Sequence, residues 1–479
     1  MVAKPVSGLN RVAAVVALTL TLIGCKLATP PTQSQILAGS LPVTTGIPSH
    51  WSAPTNTIAV ADDWLKTFHD PRLEVLVAEA IANNLDLRQA AARVEVARQT
   101  VVVVGSQLLP HLGAQFGEGV TRDDHNSIWS SGNTGYLGVS WEPDIWGELR
   151  AQKASAQAGY EATALEFAWA RQSLAATTAK AWYLAIETRQ LVELAEHGVS
   201  IYAELLELVK VRHAAGKVSD LDVAESSAAL SEAQSELRRL QAADYEARRA
   251  LELLLSRYPS AEISVARDFT PTPPPVRAGL PAALLARRPD VLSAERQVLA
   301  AFRRQEAARL AFLPGFTLDL AGGRIENEFF SLLRLNPWLF HASVGMSVPV
   351  YTGGELTARL KIATAQEQAT MAAYGATVLE AFREAENGIA NEDLLAQELR
   401  FDLDALAQRT EAVRISRIQY TAGSTDLLSL LQLEAAQLSA QSAVIQSRDM
   451  QLTNRINLHL ALGGSFDASP AVSWNGPGN

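Results

Sequence analysis

Strict alternation of apolar and polar residues marks four short stretches of the chain. Phe316-Thr317-Leu318-Asp319-Leu320 and the run from Phe340 to Val348 alternate without a fault, which is the period of a strand with two unlike faces. Earlier in the chain, Leu112, Ala114 and Phe116 alternate with Gly113, Gln115 and Gly117, and Leu137, Val139 and Trp141 with Gly138, Ser140 and Glu142. The longest stretch, Phe340 to Val348, has the roughly nine residues that a tilted membrane strand needs, and the others are the clearest five or six residues of candidate strands of that kind. The strands pair through polar or irregular segments, Arg122 to Asn133 and Arg324 to Asn336. Elsewhere the pattern is helical. No proline falls between Pro143 and Pro259 or between Pro349 and Pro470, and both runs are filled with Ala, Leu, Glu, Gln and Arg, so each predicts long helix. Each run is interrupted once, by the stretch from His213 to Asp220 and by the stretch from Tyr420 to Asp426. There Gly216 and Gly423 sit as helix terminators, with Ser219, Asp220 and Asp426 as N-caps of the next helix. This arrangement predicts tight helix-to-helix turns and two helical hairpins.

The two hairpins are copies. Gly147-Glu148-Leu149 matches Gly354-Glu355-Leu356, Gly216 matches Gly423, and Leu251, Leu253 and Leu255 match Leu458, Leu460 and Leu462, all 207 residues apart. Upstream, Leu109-Pro110 matches Leu313-Pro314 at an offset of 204, so the copies differ by three residues in the strand-pair region, where loops vary. The 66 residues from Gly147 to Arg212 would run about 100 Å as continuous helix. Arg150, Lys153, Glu161, Glu166, Arg171, Lys180, Glu187 and Arg189 recur along it, so it is not a membrane span. Such helices are expected to pack side by side in water as a cylinder wall. A plain periplasmic coiled-coil spacer fits this region as well.

The strand segments carry aromatics at their ends: Trp129, Tyr136, Trp141 and Trp146 in the first copy, and Phe312, Phe329, Phe330, Trp338, Phe340 and Tyr351 in the second. An interfacial girdle of a membrane barrel has that look, although a soluble four-stranded sheet packed on helices shares the alternation. Four strands do not close a barrel, and lipid does not tolerate an open edge. Membrane strands of this number therefore require several copies of the chain to share one barrel. The expected fold is membrane α+β: four strands per subunit in a shared barrel, continued by antiparallel helices, on a two-fold internal repeat. The expected divisions are a signal peptide at 1–24, an acylated extended segment at 25–71, a first repeat at 72–259, a Pro-rich linker at 260–280, a second repeat at 281–464 and a flexible tail at 465–479.

Composition removes several classes. Among 479 residues, 41 basic and 51 acidic side chains leave a net charge of −10 with no basic cluster, which argues against nucleic acid as a partner. At the N-terminus, Lys4 and Arg11 precede an apolar run from Val12 to Ile23, the form of a secretory signal too short to span a bilayer. Leu22-Ile23-Gly24-Cys25 follows and resembles a lipobox, so Cys25, the only cysteine, is the expected site of diacylglyceryl and N-acyl attachment. Lys26 after it suits delivery to the outer membrane, with the acyl chains in outer-membrane lipid. The eight histidines never fall three or four apart, so no helix-borne metal pair is expected. With no Gly-x-x-x-x-Gly-Lys run there is no nucleotide loop. No enzyme activity and no cofactor beyond the covalent lipid are expected.

Several short motifs then occur in one order on this repeat. They are Trp64 with Phe68-His69-Asp70-Pro71-Arg72-Leu73, Asn83-Asn84-Leu85-Asp86-Leu87, Trp141-Glu142-Pro143-Asp144-Ile145-Trp146-Gly147, and Arg287-Arg288-Pro289-Asp290 with Ala294-Glu295-Arg296. Val348-Pro349-Val350-Tyr351 with Gly353-Gly354, and Phe382-Arg383-Glu384-Ala385-Glu386-Asn387, complete the set. In this order the chain resembles the TolC-type outer-membrane factors, and among them the lipoprotein group of OprM- and NodT-like efflux channels. The resemblance implies a homotrimer with a twelve-stranded barrel and a periplasmic helical tunnel. It also implies a periplasmic adaptor and an inner-membrane pump, of the RND type, as partners. A passive duct for drugs or other small molecules follows, with an iris-like periplasmic gate; the exit duct of a type I protein secretion system is the alternative within the fold, and a non-pore coiled-coil lipoprotein the alternative outside it. The gate would lie at the hairpin tips, which offer Arg212, His213, Lys217, Asp220 and Asp222 in one copy and Arg417, Tyr420 and Asp426 in the other. Tyr420 stands where the family's gating Tyr stands, and His213 is its repeat partner. Ser429 and Gln432 occupy positions that are acidic in some relatives, so the resemblance carries no ion ring here.

Overall fold

The computed structural model describes residues 27–42, 44–53, 60, 62–123, 128–327 and 338–467. The signal peptide, Cys25, most of the tail, Phe329, Phe330 and the side chain of Trp129 lie outside the described residues. In chain order the elements are α1 (Gln33–Ser40), a 3-10 turn (Trp64–Phe68), α2 (Pro71–Asn83), α3 (Leu85–Ser106), β1 (His111–Asp123) and β2 (Ile128–Trp141). Then come α4 (Glu148–Ala214), α5 (Asp220–Leu254), α6 (Pro281–Leu284), α7 (Pro289–Leu310), β3 (Gly315–Asn327), β4 (Trp338–Ser347), α8 (Glu355–Ala422) and α9 (Leu427–Ala461). The repeat holds in the hairpin helices: Glu148 and Glu355, Asp220 and Leu427, and Leu254 and Ala461 are each 207 apart, and only the ends of α4 and α8, Ala214 and Ala422, differ from this by one residue. Compact units do not follow the repeat. One takes 1–43, 93–164 and 293–375, and the other 44–92, 165–292 and 376–479, so each draws on both copies.

The first unit holds the sheet. Its strands run in the order β1-β2-β3-β4, all neighbours antiparallel, leaving β1 and β4 as edges. Leu112 pairs with Val139, Val139 with Leu320 and Leu320 with Ala342; directly opposed residues share a face. Ala114, Leu137, Phe316 and Met346 extend this apolar face, whereas Gln115, Tyr136, Asp319 and Ser343 belong to the other. Phe116 is 82% exposed and Phe340 84%, so the apolar face is uncovered in a single chain. Two of the girdle aromatics act as ties at the sheet's base. Trp141 Nε1 donates to the Leu108 carbonyl at 3.0 Å and Trp146 Nε1 to that of Pro314 at 2.7 Å. Among the described residues, no helix is long and apolar enough to cross a membrane.

The segment expected to be extended, 25–71, is not so throughout. Thr32 and Gln35 form a capping box that starts α1, a local signal that satisfies two orphan amides, and Ile36 is fully buried. Ahead of it, Ala28 is held at both ends: its amide donates to Glu306 at 2.6 Å and its carbonyl accepts from Arg303 at 2.9 Å.

In the second unit, Trp64, Phe68, Leu73, Trp182, Tyr183, Ile186, Leu251 and Leu452 form the main core. Asp70 caps α2 through the amides of Arg72 and Leu73, and its other oxygen accepts from Trp182 Nε1 at 2.8 Å, so one carboxylate satisfies both a helix start and a buried indole. The Pro-rich 260–280 segment packs rather than dangles. Ile263 and Val265 are buried, and Arg455 donates to the carbonyls of Pro273 and Pro274. The start of the expected flexible tail is docked as well: Ser465 donates its amide to Asp62, and Arg171 lies over the Phe466 ring.

Candidate functional site

Both hairpin turns close by the same hydrogen-bond pattern. Gly216 N–H donates to His213 O and Lys217 N–H to Arg212 O, while Gly423 N–H donates to Tyr420 O and Ser424 N–H to Gln419 O. This is the Schellman arrangement, whose C′ residue takes positive φ; φ is 67° at Gly216 and 78° at Gly423, where a Cβ would strain the backbone. The next helix then starts on a side-chain cap. Ser219 and Asp222 form a capping box, and Asp426 accepts from the Ser429 amide at 2.7 Å. Hydrogen bonds from Ser219 hold the Asp222 carboxyl below its usual pKa, and those from Ser429 do the same for Asp426.

The remaining tip residues fall into three contacts. Arg212 reaches from the first hairpin to the second, donating to the carbonyls of Tyr420 at 3.0 Å and Thr421 at 2.9 Å, with its guanidinium 4.5 Å from the Tyr420 ring centre. His213 turns the other way and pairs with Asp220 of its own hairpin, Nε2 to Oδ1, at 2.9 Å. Arg417 meets Glu434 at 2.5 Å, across the second turn. Asp220 and Tyr420 are therefore not brought together: the histidine takes the carboxylate, and Tyr420 is buried among Tyr202, Leu205, Val209, Leu427 and Leu430. Glu434 was not singled out from the sequence. It is the lone charge between Leu427 and Ser447, and an isolated carboxylate on an apolar helix is a signal for a buried partner.

Farther along the same unit, burial raises the carboxyl of Glu187 to about 7 and that of Asp449 to about 6, and the Asp449 charge adds to the shift at Glu187. Both folded values lie above the unfolded ones, so the folded chain holds these protons more tightly. The contribution of this pair to stability is therefore fully present below about pH 4 and is lost as pH rises through the 4 to 7 window. Glu187→Gln removes that loss. The variant is expected to be more stable than the parent at pH 8 by about 1 to 2 kcal/mol, allowing for the side chain's partial solvent contact, and equal to it near pH 4. Unfolding midpoints at the two pH values measure this, and a difference independent of pH would rule it out.

An antiparallel sheet with one uncovered apolar face and two open edges, together with two 35-residue and two nearly 70-residue helices arranged as hairpins, defines a subunit of a shared membrane barrel with a helical extension. The model of the outer membrane efflux protein family matches residues 76–257 and 280–464, and the chain belongs to that family. Its function is that of an outer-membrane efflux channel. It is 29% identical to the pyoverdine export outer membrane protein OpmQ of Pseudomonas aeruginosa over 88% of this chain and 92% of that protein. To the toluene efflux pump outer membrane protein TtgC of Pseudomonas putida it is 29% identical, over 86% of this chain and 88% of the relative. Among solved structures, the outer-membrane channel OprN superposes with a TM-score of 0.79 at 26% identity, covering 93% of this chain and 99% of that one. The open-state MtrE channel of Neisseria gonorrhoeae gives 0.78 at 25% identity, over 92% and 99%.

Proposed function

We propose that the chain is the exit duct of a tripartite efflux pump, working as a homotrimer with a periplasmic adaptor and an inner-membrane pump of the RND type. The observation that carries the reading is the sheet. Its uncovered apolar face suits lipid, and its unpaired edges β1 and β4 need further copies to complete their hydrogen bonds. Three copies of four strands make a twelve-stranded barrel, wide enough for a polar interior. Pyoverdine and toluene appear in the names of relatives, which supports drugs or other small molecules as the cargo class. An acylated Cys25 fits the same picture. Ala28, three residues on, is gripped by Arg303 and Glu306 near the end of α7, a few residues before β3 begins, so the anchor would enter lipid beside the barrel. The tip residues Arg212, His213, Asp220, Asp222, Arg417, Tyr420 and Asp426 form the mouth, with Gly216 and Gly423 fixing its turns.

Reconstitution of the purified protein in planar bilayers tests the duct. Small conductance steps are expected from the parent and larger ones from variants in the tip contacts. A protein that stays silent even when those contacts are removed is not a duct.

A further inference from the structure

Between α4, α8 and α9, close to the tips, lies a cavity of about 290 Å³. Two of its lining groups are buried and lack a hydrogen-bond partner among the described residues: Tyr420 Oη and Glu434 Oε2. Their residues are only 3% and 1% exposed. A buried carboxylate oxygen without a donor is costly, and more so than a neutral group. Glu434 Oε1 is already committed to Arg417, so Oε2 is the free acceptor. Glu204 lines the rim and acts on Arg417 through its charge. Among the lining residues two carboxylates thus face a single guanidinium, while that of Arg212 lies outside the lining, against the Tyr420 ring and already committed to backbone carbonyls. Its remaining wall is aliphatic, from Ile201, Leu205, Leu208 and Leu430.

We propose that this cavity binds an amphipathic organic cation, an ammonium or guanidinium group on a short alkyl chain. The charged head donates to Glu434 Oε2 and Tyr420 Oη, and the alkyl part lies on the aliphatic wall. A neutral donor satisfies the same atoms without the charge-assisted gain, and an anion is repelled. Because Tyr420 belongs to α8, Glu434 to α9 and Leu205 to α4, an occupant ties the two hairpins to each other. The inference deepens the reading of Tyr420 as a mouth residue and rests on it only for that consequence; binding itself is separate from conduction. Two sources carry such a group, a free small molecule and a basic side chain of a partner protein.

Calorimetric titration of the full-length protein in detergent separates these outcomes. N-butylguanidinium is the free probe, neutral N-butylurea the control, and an alanine-rich helical peptide with one arginine the partner-like probe. N-butylguanidinium is expected to bind at least about 10-fold more tightly than N-butylurea. Tyr420→Phe, which removes one oxygen and keeps the ring, should weaken it by about 3- to 10-fold, and Glu434→Gln by more. N-butylguanidinium binding as tightly as the peptide assigns the cavity to a free cation. A peptide that binds about 10-fold tighter, and loses this when its arginine becomes norleucine, assigns it to a partner's side chain. Either result upholds the proposal. Binding of both probes no better than the neutral control, or binding unchanged in Tyr420→Phe, overturns it, and neither result bears on whether the protein conducts.

Discussion

Arg288→Met is expected to lower stability by about 3 to 5 kcal/mol, the range found when one partner of a buried ion pair is removed. The side chain is 2% exposed and sits over the Trp169 ring at 4.8 Å. Its guanidinium donates to both oxygens of Asp290 at 3.0 and 2.6 Å, to Glu384 at 2.6 Å and to the Ala461 carbonyl at 3.1 Å. Burial works against the charge, and Asp290 and Glu384 outweigh it, holding the guanidinium above its usual pKa. One side chain thereby joins the start of α7, the body of α8 and the end of α9. Methionine fills much of the volume but leaves two carboxylates and a carbonyl without their donor. Arg288→Lys keeps the charge and loses the fork, so it should recover only part of the loss. The exposed pair of Arg383 with Glu380 is the control, and Arg383→Ala should leave the midpoint where it is. Denaturant midpoints of the three variants decide it; Arg288→Met indistinguishable from Arg383→Ala would refute the account.

How much of this was legible in the sequence differs by level. The alternation from Phe340 to Val348 located β4 to within a few residues of Trp338–Ser347, because a period of two leaves little freedom in register. Proline-free runs and a Gly followed by a capping residue located both hairpins for a similar reason: each signal is a local backbone requirement. The 207 offset continues further than the motifs showed. Ser256, with φ of 56°, ends α5 by the same bonds with which Gly463, φ 71°, ends α9. Helix α1 was missed although Thr32-Gln33-Ser34-Gln35 is a capping box, since eight residues without helical periodicity offer nothing else to read. Partner choice at the tips was not legible. Whether Asp220 meets His213 or Tyr420 depends on how the hairpins pack, and sequence spacing is silent on that. Nor does the repeat reveal the two compact units, because α4 and α8 each run unbroken from one into the other.

Loss of Arg212 is expected to open the mouth. The carbonyls it binds, those of Tyr420 and Thr421, belong to the last turn of α8, where the Tyr420 carbonyl also takes the Gly423 amide and the helix dipole favours a cation. Adding the stacked ring, the contact is worth about 1 to 2 kcal/mol at this partly exposed position. It is also the described tip contact that crosses from one hairpin to the other through hydrogen bonds, so the whole of that energy acts on their separation. Since 1.4 kcal/mol is about a factor of ten in an equilibrium, Arg212→Ala should raise the open fraction about 5- to 30-fold. Asp426→Asn should do little, because Asp426 caps its own helix and asparagine caps about as well. Arg212→Lys should fall between, keeping the charge but reaching fewer carbonyls. Open probability in planar bilayers, with uptake of a bulky antibiotic by cells carrying each variant, gives the order directly. Should Asp426→Asn leak while Arg212→Ala stays shut, the mouth is held by the caps and not by the crossing arginine.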